Sequence, residues 1–175
     1  KVNNDANVKL TSGQLNLVLD STSSKVNIKV ENSNNVQLKI KNMDECTVKI
    51  DNENSESKTV SIKSVSEVYG PLNLEAGENV EKIEIDSINL HDSGSVSSTV
   101  PVKVTNLDAQ PQTTGKLSKV TVSEKISISQ SAVLELGDDV SLSSASLNLN
   151  LHTYKASNFN KPILKGNLGE PPKEI

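Results

Sequence analysis

Asp138-Asp139 sets two carboxylates side by side, and paired carboxylates are the acid and base of glycoside hydrolysis. They follow Gly137 and stand between Leu136 and Val140, which is the make-up of an ordinary turn between two strands. The turn is the reading adopted here. Asp51-Asn52-Glu53-Asn54-Ser55-Glu56 has the oxygen density of a calcium loop. Its sixth position, however, is Glu where such a loop needs Gly, and Ile62 stands where the closing bidentate acid belongs. It reads as a solvated turn, and no metal site is expected. His91 and His152 have no spacing relation to each other or to a nucleophile, and no nucleophile elbow is present. No catalytic residue is assigned, no cofactor is expected, and the chain reads as a non-enzyme.

Three rings could touch a ligand: Tyr69, just before Gly70-Pro71, and Tyr154 with Phe159. They are the whole aromatic complement. Rings offer stacking surfaces for carbohydrate, whereas packing at a turn or cap is the plainer role for rings so far apart in sequence. Cys46 is the single cysteine, so neither an internal disulfide nor a thiolate metal cluster can form. It stands where Val26 and Val36 stand in the repeat described below and is expected to point inward as a small hydrophobe.

The elements that would carry these residues are strands. Apolar residues make up 34 % of the chain, nearly all Val, Ile and Leu, and helical periodicity is not sustained anywhere. Val26-Asn27-Ile28-Lys29-Val30-Glu31-Asn32 is followed ten residues on by Val36-Gln37-Leu38-Lys39-Ile40-Lys41-Asn42, and then by Cys46-Thr47-Val48-Lys49-Ile50-Asp51-Asn52. Ala6-Asn7-Val8-Lys9-Leu10 is an earlier copy and Leu15 to Leu19 a slipped one. Alternation puts Val26, Ile28 and Val30 on one face and Asn27 and Lys29 on the other.

Two architectures fit. In a β-solenoid each unit is one side of a coil, and the coils stack in parallel. In an antiparallel β-sandwich each unit is a strand closed by a hairpin loop. Asn32, Asn42 and Asn52 favour the solenoid, because Asn suits sharp corners and stacks into ladders. So does the alternating sign of Glu31, Lys41 and Asp51. Lys29, Lys39 and Lys49 argue against it if they stack on one another. The all-β solenoid is the expected fold and the sandwich its alternative.

Residues 1–165 read as one all-β domain. The stretch 106–115 is the longest without strand character, either a protruding loop or a subdomain boundary. Alternation fades from His152 onward, and 166–175 reads as a polar tail or linker.

All 18 basic residues are Lys and the formal net charge is -4. The charges are interspersed, so neither a basic face nor a stacking platform for nucleic acid can be assembled. No stretch has transmembrane length, so membrane insertion by these residues is not expected. The chain opens on Lys1 without Met and reads as a piece of a longer protein.

The phrase Lys125-Ile126-Ser127-Ile128-Ser129-Gln130-Ser131-Ala132-Val133-Leu134-Glu135-Leu136-Gly137-Asp138-Asp139-Val140-Ser141-Leu142 resembles coils of the right-handed parallel β-helices in autotransporter passengers and large surface adhesins. The resemblance covers about a third of the chain. It implies an extracellular or cell-surface stalk with adhesion or self-association as its role. Protein or glycan at a cell surface is the expected partner. A carbohydrate-binding or carbohydrate-active β-helix, and self-assembly through strand edges, are the competing expectations.

Overall fold

A computed structural model describes residues 6–11, 14–19, 25–30, 35–41, 44–53, 56, 58–129, 131–137, 139–141, 146–150, 163–166 and 173–174. Short Val/Ile/Leu runs alternating with polar residues make each element a strand, and no helix occurs among the described residues. The strands, in chain order, begin with β1 (Ala6–Leu10), β2 (Leu15–Leu19), β3 (Lys25–Val30), β4 (Val36–Ile40), β5 (Cys46–Asn52) and β6 (Thr59–Val68). Then come β7 (Pro71–Ala76), β8 (Lys82–Leu90), β9 (Ser95–Ser98), β10 (Val102–Ala109) and β11 (Thr114–Leu117). The last are β12 (Val120–Ser129), β13 (Val133–Leu136), β14 (Ser146–Asn150), β15 (Ile163–Gly166) and β16 (Lys173–Glu174).

Odd-numbered strands form one eight-stranded sheet and even-numbered strands the other. Every pairing is parallel; Ala6 lies beside Val26 and Leu15 beside Val36. The chain is therefore a β-solenoid. A coil advances by about twenty residues, so each ten-residue unit is one of its sides. Parallel pairing between units of successive coils excludes the antiparallel sandwich.

The inward residues fill one core between the sheets: Ile28, Leu38 and Ile50 near its start, Ile62, Ile85 and Val104 further along. Cys46 is fully buried among them, as its place in the repeat predicts. The long strands β6, β8, β10 and β12 slip phase midway. In β8, buried Ile85 is followed by exposed Asp86 and Ser87 before buried Ile88, and β10 and β12 carry a register shift between Val104 and Asn106. Such bulges bend a strand, and here they let both halves face the same core.

Several expectations are corrected. Lys29, Lys39 and Lys49 do not form a column: Lys39 belongs to the opposite sheet, Lys29 sits beside Asp51, and Lys49 sits beside Asn27. Asn52 is not a corner residue but the buried end of β5, stacked on Val30. Asn32, Asn42 and Glu31 lie outside the described residues. The stretch 106–115 is not strand-free, since 106–109 complete β10 and 114–115 begin β11. Of the expected tail 166–175, Gly166 ends β15 beside Leu136 and Lys173–Glu174 pairs with β14, so both belong to the ladder; residues 167–172 and 175 lie outside the described residues.

Candidate polar groove on the even sheet

Side chains that point outward from a parallel stack form rows, one residue per coil, spaced by the distance between strands, about 4.8 Å. One row lies just past the even strands. The Tyr69 amide donates to the Ile40 carbonyl (2.9 Å), that of His91 to Val68 (2.8 Å) and that of Gln110 to Leu90 (2.9 Å). These three residues thus occupy the same position in successive coils. The stacking of the Tyr69 and His91 rings follows, with centroids 4.8 Å apart and planes 20° from parallel. Tyr69, an expected ligand residue, thus meets His91, to which the sequence assigned no role, about one coil further along the chain.

The neighbouring row is Asn89, Asp108 and Ser127, followed by a row of Ser87, Asn106 and Lys125. The Gln110 side-chain amide joins the first two rows, donating to Asn89 Oδ1 and to Asp108 Oδ2, both at 3.0 Å. Asp108 Oδ1 is shut off from solvent and accepts no hydrogen bond. Burial pushes the Asp108 carboxyl above the usual carboxylate range, against the pull of Lys125, His91 and the Gln110 hydrogen bond. Ser66, Ser87, Asn89, Asn106, Asp108 and Lys125, with Ser127, line a shallow groove of about 370 Å³ on this face.

Elsewhere the faces are tied down. Lys39 and Lys41 reach Glu67 (3.1 and 3.6 Å), and the Lys39 ammonium holds that carboxyl below its usual range against partial burial. Glu84 is likewise lowered, by its hydrogen bond to Lys82. On the odd sheet, Asn27 donates to Asn7 (2.8 Å), and Lys9 and Lys29 both reach Glu53 (2.9 and 3.7 Å). A groove of about 440 Å³ runs beside them, lined by Asn7, Asn27, Lys29, Lys49 and Asp51 among others. Ser97 donates to Asn73, which donates to Glu45.

Of the other residues singled out in the sequence, Asp51 and Asn52 are strand residues. Asp51 Oδ1 accepts the backbone amides of Asn52 and Asn79 (2.9 and 3.3 Å), which ties the end of β5 to the corner between β7 and β8. Asp139 is in a turn at φ 60°, in keeping with the turn reading; Asp138 lies outside the described residues, as do His152, Tyr154 and Phe159. Tyr69 is the one expected ligand residue that the structure places, and it is half-buried against His91.

Asp108 was not evident from sequence. The signal exists: aligning Ile88-Asn89-Leu90, Leu107-Asp108-Ala109 and Ile126-Ser127-Ile128 stacks the three polar residues. Finding it requires the coil length, which is irregular. Comparison with known proteins finds no matching family model, no matching curated protein and no matching solved structure.

Proposed function

We propose that this chain is a non-catalytic structural and adhesive module of a larger secreted or cell-surface protein. In this role it presents an extended polar β-surface to a protein or glycan at a cell surface. One observation carries the reading. Outward side chains on both sheets are tied to one another from coil to coil, amide to amide at Asn7 and Asn27 and ammonium to carboxylate at Glu53, Glu67 and Glu135. Paired in this way, the charged groups stiffen a surface and do not converge on a reacting atom. Parallel coils present such a surface at constant spacing, and affinity is then spread over many weak contacts.

Beads coated with the chain test it. They should adhere saturably to animal or microbial cell layers, and soluble chain should compete them off. Retention no better than that of beads coated with an inert protein overturns the reading.

A further inference from the structure

We infer that the groove on the outer face of β8, β10 and β12 is a binding site for a neutral saccharide, with Asp108 and Asn89 gripping ring hydroxyls beside the Tyr69–His91 pair. This rests on the adhesive reading above and names the ligand class for one part of that surface.

The first support is Asp108 Oδ1, buried and without a donor. Such an oxygen costs the fold free energy, and native proteins keep few of them without a use. A sugar hydroxyl in the groove is the donor it lacks. Lys125, the longest of the lining side chains and an exposed one, can swing aside to admit it.

The second support is the mixture of groups. Asp108 accepts only, whereas the amide of Asn89 both donates and accepts; the Gln110 amide N–H groups are already spent on these two. Two neighbouring hydroxyls of a sugar need that combination. Gln110 already holds Asn89 and Asp108 in a fixed relation by its two 3.0 Å hydrogen bonds, so the constellation is preorganised.

The third is the stacked ring pair in the adjoining row. The two rings turn their facing sides to each other, so what they offer a pyranose in the groove is an apolar border for its C–H side and not a stacking platform. The lining carries Lys125 as its charged counterpart to Asp108, so a neutral ligand suits it better than an acidic one.

Titration of the isotopically labelled chain with neutral oligosaccharides of glucose, mannose, galactose and N-acetylglucosamine, followed by amide NMR, tests the inference. At least one should move resonances of 87–91, 106–110 and 125–127 while leaving those of β3 and β5 in place. Losing a hydrogen bond to a charged group weakens binding by about tenfold or more. Asp108→Ala should show that loss, and Asn89→Ala should also weaken binding; Lys49→Ala, on the opposite sheet, should bind as the parent does. Asp108→Ala removes an unsatisfied buried oxygen, so its fold should persist. The inference is overturned if no saccharide moves these resonances, or if Asp108→Ala binds unchanged. Should the coated beads still adhere in that case, the adhesive reading stands and only the saccharide site falls.

Discussion

Gly94 sits where two coils of backbone touch. A Cβ built there would overlap the Val68 carbonyl oxygen, which is already the acceptor for the His91 amide at 2.8 Å. Neither backbone can withdraw without breaking the ladder. Gly94→Ala should therefore cost about 1–3 kcal/mol, the range for overpacking a fitted interior. At Gly137 the nearest backbone oxygen, that of Leu117, would be 2.9 Å from the added carbon, so Gly137→Ala should cost less. Urea unfolding measures both, and a Gly94→Ala midpoint equal to the parent's would refute the contact. Two carboxylates act in opposite directions with pH. Asp108 binds its proton more tightly in the fold than in the unfolded chain. Its effect on stability is therefore best below the ordinary carboxylate range and worsens as pH rises through the raised value. Glu67, held low by Lys39, stabilises above the ordinary range and loses that contribution as pH falls. Asp108→Asn should raise the unfolding midpoint at neutral pH, whereas Glu67→Gln should lower it there and flatten the acid limb. Urea midpoints measured from acid to neutral pH check both signs.

The strands owe their stability to inward rows that run across several coils. Ile62, Ile85, Val104 and Val122 form one such row through β6, β8, β10 and β12, all of them at most 1 % exposed. Ile85→Ala should cost about 2–5 kcal/mol. Leu17→Ala should cost less, because β2 has one sheet neighbour and Leu17 keeps 6 % of its surface exposed. Chemical denaturation of the two variants gives the ordering. These rows also show how far the sequence could be read. Strict alternation in Val26 to Val30 identifies the strand and its inner face with no further information. Register is another matter: Val26 lies beside Val48, two residues from the Cys46 suggested by the repeat. Shifting by two keeps every side chain on its own face, so hydrophobic pattern alone does not distinguish the two registers. The phase slips had a larger effect. Thr105 and Asn106 stand together between buried Val104 and Leu107, which breaks the alternation and disguises the second half of β10 as loop. Asp108 was hidden with it, because its row neighbours Asn89 and Ser127 lie a whole coil away on either side.

Along the stack, stability should be graded. A solenoid couples each coil mainly to its two neighbours, and among the described residues the first coil is coupled on one side only. Among the described residues, β1 and β2 each have a single sheet partner. Val8 and Leu15 pack only partly buried against the core, and Leu10 is 8 % exposed, while Ile83, Leu90 and Val104 are at 0 %. Opening β1 therefore breaks one ladder and exposes little apolar area; opening β10 breaks two ladders and splits the core. Amide exchange should show this directly. The slowest amides should be those of β8 and β10, released only by global unfolding, and those of β1 should exchange about a hundredfold faster or more, through local fraying. Equal protection from β1 to β12 would mean that the chain unfolds as one unit in spite of its linear architecture. A graded profile would instead place the saccharide groove of β8, β10 and β12 on the most rigid part of the molecule. There Asn89, Gln110 and Asp108 keep their spacing without help from a ligand, and little ordering entropy is left for binding to overcome.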